Sequence, residues 1–203
     1  MIEVVSLLGL SYTGKSTLAE GLVPRLAHEG ITADIIKKDD AMQAIGQERY
    51  GEQDQTGGYS ILGFLKHGRV PSKDLHAWMN KQVHTSLEHG HMVILEGGTR
   101  TRSAQAETLH DVELSEDTLR IFMMDLPFRQ IISRSRQRRQ ESGRYDDQLL
   151  VAFGKLSGQY RGMLSSDAPH AEDPDVIQLN ARLPVVELVE VTANHILDSR
   201  TET

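Results

Sequence analysis

Short apolar runs alternate along the chain with longer segments of helical period. Five of these runs read as strands, at residues 2–8, 33–37, 92–95, 119–124 and 176–179, with acidic, loop-like stretches ahead of the fourth and fifth. Between them Leu75, Trp78, Met79, Val83 and Leu87 recur at spacings of three and four, as do Leu149, Leu150, Phe153, Leu156 and Tyr160. Each set lines one helical face and predicts a core stripe. Strands alternating with helices in this way build a parallel sheet wrapped by helices, so the expected class is α/β with a five-stranded parallel sheet.

Two polar stretches punctuate the pattern. Residues 46–58 carry Gly51, Gly57 and Gly58 among Gln, Glu and Asp, and read as a mobile connection. Residues 165–174 contain Pro169 and Pro174 and lead into the last strand. Neither reads as a domain linker, because the flanking segments cannot close a sheet separately. The expectation is one domain over residues 1–203, with a helical insertion at about 40–90 and a short lid at about 134–147.

Composition narrows the classes further. At 203 residues and 38% hydrophobic content the chain can bury one sizeable core. A formal net charge of −7 argues against broad electrostatic capture of nucleic acid. The absence of cysteine excludes disulfides and thiolate metal sites. Met1, Ile2 and Glu3 put an acid where an apolar signal segment would be, and no apolar run approaches the roughly 20 residues that span a bilayer. A cytoplasmic protein is the expectation.

The chemistry is concentrated at residues 9–16, Gly-Leu-Ser-Tyr-Thr-Gly-Lys-Ser, which match Gly-x-x-x-x-Gly-Lys-Ser. An apolar strand runs in and a helical pattern runs out, the context that a phosphate-binding P-loop requires. Glycines let backbone amides turn toward phosphate oxygens, the following helix offers its positive end, and Lys15 can neutralise the β and γ phosphates. Ser16 is then placed beside Mg2+. Gly9, Tyr12, Thr13, Gly14, Lys15, Ser16 and Thr17 are the candidate nucleotide contacts, with ATP and Mg2+ as cofactors. Tyr12 is bulky where many small kinases have glycine. No Asn-Lys-x-Asp guanine-reading sequence is present.

Three later segments resemble the adenylate kinase family and its nucleoside monophosphate kinase relatives. Glu96-Gly97-Gly98-Thr99-Arg100-Thr101, followed by Gln105-Ala106-Glu107 and Leu109, is similar to that family's Asp-Gly-Phe-Pro-Arg-Thr and Gln-Ala-Glu. Arg134, Arg138 and Arg139, then Gly143-Arg144-Tyr145-Asp146-Asp147 and a helix through Lys155, resemble its paired arginines, lid and Arg-x-Asp-Asp. Gly63 to Pro71, with Val70, looks like its acceptor-base turn. The resemblance covers essentially the whole chain. It implies a P-loop NTPase fold and phosphoryl transfer from ATP to a nucleoside monophosphate. It further implies that Arg100 holds the acceptor phosphate while Arg134, Arg138 and Arg144 close over the transferring group. Asp40, Gln43, Val70, Gln105 and Lys155 then line the acceptor side, and Glu96 orders Mg2+ with Ser16.

The residue types suit that reaction, because moving a phosphoryl group between polyanions requires convergent positive charge, and guanidinium forks match phosphate oxygens. Other readings of the same residues stay open. Residues 134–139 also fit a solvated basic helix face or a nucleic-acid patch, and Glu96 fits a solvent-facing strand-end acid. Gln43 stands where the family has a phosphate-binding arginine, and Gly98 and Thr99 replace Phe-Pro. These departures bring in a second enzyme class, a kinase of the same fold acting on a small-molecule alcohol with Asp40 as base, with Arg49 or Arg69 as compensating cations if the acceptor is a monophosphate. A nucleotide-dependent assembly ATPase is the third. The expected partner is a small-molecule acceptor rather than a membrane or nucleic acid.

Overall fold

The computed structural model describes residues 3–50, 70–97, 101–112, 118–142, 156, 160, 164, 166–170 and 172–201. Strands β1 (Val4–Leu8), β2 (Ala33–Lys37), β3 (Met92–Glu96), β4 (Leu119–Asp125) and β5 (Val176–Asn180) form one sheet in the order β2-β3-β1-β4-β5. Every pairing is parallel. The expected five-stranded α/β class is the observed one: β2 matches its expected run, β3, β4 and β5 each end one residue later, and β1 begins at Val4, with Glu3 outside the strand.

The reason lies in burial. All five residues of β1 are buried, including Ser6, because β1 is covered on both faces. Val5 and Leu7 join Ile94 and Phe122 on one face, whereas Val4 joins Val93 and Leu95 on the other, the alternation that a period of two imposes. Helices α1 (Lys15–Ala27), α5 (Phe128–Ser142) and α6 (Val185–Thr201) supply Leu18, Leu22, Leu26, Ile131, Leu188 and Ile196 to the first face. Helices α2 (Lys38–Tyr50) and α3 (Ser72–Glu88) supply Ala41, Ile45, Leu75, Met79 and Val83 to the second. The short α4 (Arg102–Thr108) follows β3 and packs against α3.

The stripe on α3 is largely as expected: Leu75, Met79 and Val83 are buried, with Trp78 and Leu87 half-buried at its margin. In the second stripe Leu156 is buried, but Tyr160 is 53% exposed and belongs to no core face. Its other members, Leu149, Leu150 and Phe153, lie outside the described residues. Residues 46–50, expected to be loop, complete α2, with Gly46 buried beside Ile45. The cost of a glycine so near a helix end, under about 1 kcal/mol, is small against the apolar face that Ala41 and Ile45 bury.

Topology fixes where chemistry can occur. The connection from β1 runs through α1 to β2 on one side, and the connection from β3 runs through α4 to β4 on the other. Adjacent strands whose connections leave in opposite directions open a crevice at their carboxyl ends, the switch point at which open α/β sheets bind ligands.

Candidate functional site

Two segments meet at that crevice: the loop at residues 9–14 that follows β1, and the end of β3. The loop is built on three left-handed residues. Gly9 has φ +138°, Tyr12 +69° and Gly14 +100°. At Gly9 an added Cβ would stand 3.0 Å from the Met124 carbonyl oxygen on neighbouring β4, so chain conformation and close approach both demand glycine. Tyr12 adopts the same region with a side chain that packs against the core, offsetting a strain of about 1 kcal/mol. Thr13 is buried, and its Oγ1 donates to the Leu10 carbonyl at 2.9 Å, which closes the loop on itself.

Lys15 sits on the first turn of α1 with only 9% of its surface exposed. Its Nζ donates to the carbonyls of Gly9 at 3.1 Å and Leu10 at 2.8 Å, so the ammonium is held within the loop. Gly14 caps α1 with no side-chain hydrogen bond, and the first turn carries no acid. The positive end of a 13-residue helix is therefore left without a carboxylate neighbour in its own first turn, the condition under which a helix N-terminus favours an anion. Thr17 is exposed on that turn.

The next residue reaches across the switch point. Ser16 Oγ donates to Glu96 Oε1 at 2.5 Å, joining the cradle to the last residue of β3. The other carboxylate oxygen, Glu96 Oε2, is buried and has no hydrogen-bond partner. A buried orphan oxygen costs about 1–3 kcal/mol unless something pairs with it, and here it lies beside a serine hydroxyl and the lysine cradle. A hard dication satisfied by one or two carboxylates, waters and substrate phosphates fits this donor set, so Ser16 and Glu96 suit Mg2+.

Arg134, expected over the transferring group, makes two backbone contacts. Its guanidinium donates to the Thr13 carbonyl at 3.1 Å and to the Ala181 carbonyl, just past β5, at 2.9 Å. It thus stands against the cradle and binds it to the β5–α6 turn. Arg138, one turn later on α5, is exposed. Arg100, Arg144, Lys155, Gly98, Thr99 and Arg69 lie outside the described residues.

On the acceptor side Asp39 and Asp40 occupy the first turn of α2, both exposed, and Gln43 follows on the same helix, also exposed. Arg49 donates to Asp74 Oδ2 at 2.8 Å, an ion pair between α2 and α3. Val70 is buried in the second core face and Gln105 is buried in α4. Thr101 Oγ1 accepts from the Ala104 amide and caps α4. A cleft of about 330 Å3 opens here, lined by Lys38, Ser72, Leu75, His76, Ser103 and Glu107 among others.

Sequence reasoning missed Arg102. Its guanidinium bonds both carboxylate oxygens of Asp175, at 2.5 and 2.8 Å, and Asp173 at 2.8 Å. Ser103 binds Asp167 through its hydroxyl at 2.5 Å. The Asp175 hydrogen bond, followed by that of Asp173 and opposed by burial, raises the Arg102 pKa. In return Asp175 is held below the usual carboxylate range by Arg102, Asp173 by the His170 amide and then Arg102, and Asp167 by Ser103. This clasp fastens the start of α4 to the approach to β5. The partners lie 71 and 73 residues apart, with no local pattern to announce them. His91, half-buried, pairs with Asp34 at 3.0 Å. Burial works to raise the Asp34 pKa, but hydrogen bonds from His91 and Ser86 outweigh it and the net shift is downward.

Comparison with known proteins agrees with this architecture. A family model described as an AAA domain matches residues 4–154. Among solved structures, an unliganded sugar kinase from Janibacter sp. HTCC2649 superposes with a TM-score of 0.62 at 14% identity, covering 98% of this chain and 95% of that one. The APS kinase CysC of Mycobacterium tuberculosis, solved with AMPPNP and APS, gives 0.56 at 17% identity, covering 98% of both chains. The fold is therefore that of P-loop kinases. No curated protein matches the sequence. No helix among the described residues is long and apolar enough to cross a membrane.

Proposed function

This chain belongs to the AAA domain family, and from that premise we propose that it is an ATP-dependent kinase of a small-molecule acceptor, transferring the γ phosphoryl group at the β1–β3 switch point. The observation that carries the reading is the Ser16–Glu96 pair set beside Lys15, with one carboxylate oxygen left for a cation. In this reading the loop at residues 9–14 and the first turn of α1 receive the ATP phosphates, and Lys15 exchanges its two carbonyl partners for phosphate oxygens. Ser16 and Glu96 would hold Mg2+, which supplies charge neutralisation at the phosphate oxygens as negative charge shifts in the reaction. Arg134 keeps the Thr13 end of the cradle in place through its carbonyl. Arg100, Arg138 and Arg144 remain the candidates for meeting the transferring group, and Asp40 the candidate base.

A hydroxyl-bearing acceptor is favoured over a nucleoside monophosphate. Gln43 brings no charge, and Arg49, the described one of the two candidate replacements, is engaged with Asp74 on the α2–α3 contact. The solved neighbours named for a sugar and for APS lend the same support. The second reading, a nucleoside monophosphate kinase of adenylate kinase type, rests on α4. There Thr101 caps the helix and Gln105 is buried within it, in the order the family resemblance implies.

The deciding experiment follows radiolabel from γ-labelled ATP with Mg2+ into a panel of five nucleoside monophosphates (AMP, CMP, UMP, GMP and TMP), sugars, sugar acids and nucleosides. Labelling of a hydroxyl compound, lost in Lys15→Met, is the expected result. Labelling of a monophosphate alone selects the second reading. Tight ATP binding with transfer to no acceptor would sink both.

A further inference from the structure

The cleft between α2, α3 and α4 has a lining that the donor half of the site does not use. Its position ties it to the chemistry: Lys38, on its wall, stands against Gly97, where an added Cβ would lie 3.6 Å from the lysine Cβ, and Gly97 directly follows Glu96. The lining carries the hydroxyls of Ser72, Thr101 and Ser103, the last two already bonded to each other, to the Ala104 amide and to Asp167, with Leu75 and Ala104 as apolar floor. Across it His76 of α3 meets Glu107 of α4 through Nδ1. The His76 side chain is only 11% exposed, whereas Glu107 is 59% exposed, so the carboxylate reaches in from the rim to hold a largely buried ring. A carboxylate at Nδ1 holds a proton there, so that in the neutral tautomer it is the second ring nitrogen, Nε2, that carries the lone pair. Among the described residues Nε2 makes no hydrogen bond.

We propose that this cleft is the acceptor-recognition site and that His76, oriented by Glu107, accepts a hydrogen bond from a hydroxyl of a compact polyhydroxylated molecule. The chemistry of the lining sets the class. Hydroxyls and an imidazole nitrogen offer a polyol hydrogen-bond partners of both kinds. Among the described lining residues the one lysine, Lys38, is set against the Glu107 carboxylate. A volume of about 330 Å3 lies at the lower end of the range for small-molecule sites. A molecule that lacks a hydroxyl donor would leave His76 Nε2 unpaired, which disfavours it in this cleft. His76 and Glu107 act here by recognition and orientation; neither is assigned a proton transfer.

The inference rests on the kinase reading for the word acceptor, and its test separates the two. Full-length protein labelled with 15N-histidine is titrated with ribose, glucose, gluconate, myo-inositol and AMP, the His76 ring signals being assigned by their loss in His76→Gln. At least one of the four polyols is expected to shift the Nε2 signal. Its affinity should fall about tenfold or more in both His76→Gln and Glu107→Gln, with Mg-ATP binding unchanged in each. Glu107 is mostly exposed, so Glu107→Gln keeps the test available if the His76 variant fails to fold. Silence of all four polyols, a response to AMP alone, or equal polyol binding by folded variants overturns the proposal. A polyol that binds as described yet takes no label from ATP leaves the recognition site standing and removes the kinase reading. A polyol labelled with the same KM by wild type and both variants does the reverse.

Discussion

At the scale of single residues, the candidate site depends on side chains that act on backbone. Lys15 lies on two carbonyls, Thr13 shares one of them, that of Leu10, and Arg134 lies on two more. The presence of the cradle was legible from Gly9, Gly14, Lys15 and Ser16, because a loop that must turn left-handed and end in a cation leaves those residue types few substitutes. The partners of Arg134 were not legible. A carbonyl carries no signature in sequence, and an arginine that clamps backbone is spelled like one that awaits a phosphate. Glu96 is the intermediate case: its strand-end position was readable, and its bond to Ser16 required the sheet order. If its orphan oxygen holds Mg2+, Glu96→Gln should raise the Mg2+ concentration giving half-maximal transfer at least tenfold while metal-free nucleotide binding stays within twofold. Metal titration of the transfer rate, with binding measured in EDTA, checks both halves.

At the scale of elements, two contacts control how the site is framed. Helix α1, which carries the cradle, packs on α6 so closely that a Cβ added at Gly21 would lie 2.6 Å from Val189 Cγ2. Valine is stiff about χ1 in a helix, so it cannot simply swing away. Gly21→Ala should cost about 1–2 kcal/mol, overpacking exceeding the gain in helix propensity. Thermal unfolding should therefore shift down by several degrees, and adding Val189→Ala should restore most of the loss. The second contact is the Arg102 clasp. Asp173 and Asp175 have folded pKa values below their unfolded ones, so the stability they contribute is present above about pH 4 and is lost as pH falls through the folded values. Arg102→Ala should lower the melting temperature at pH 7, and the gap from wild type should narrow toward pH 3. A gap unchanged between pH 7 and pH 3 would show that the clasp works through packing alone. Strands and the α3 stripe were readable because period and burial coincide there. The end of α2 was misread because Gly46 and the polar residues after it imitate a loop, whereas Ala41 and Ile45 anchor the helix to the sheet.

At the scale of the whole molecule, the switch point unites the sheet and the ligand site. The strand order β2-β3-β1-β4-β5 makes β1 and β3 neighbours although 83 residues separate Leu8 from Met92. Only through that adjacency does Ser16 meet Glu96. The α/β class could be read from the alternation of runs, but the order of the strands emerged only with the fold. Because a nucleotide here would bind the folded chain alone, Mg-ATP at a hundred times its Kd should add about 2.7 kcal/mol of stability. That corresponds to a rise of about 5–10 °C in melting temperature, absent in Lys15→Met, as scanning calorimetry can determine.

The lodging of Lys15 inside its own loop has a further consequence for the protein without nucleotide. An ammonium that is nine-tenths covered and bonded to two carbonyls offers no free amine to an electrophile, whereas Lys73 and Lys81 stand exposed on α3. The residue proposed to meet the phosphates is thereby among the lysines least open to acylation or carbamylation. The cradle shelters its own charge, and chemical wear on surface amines leaves it for last.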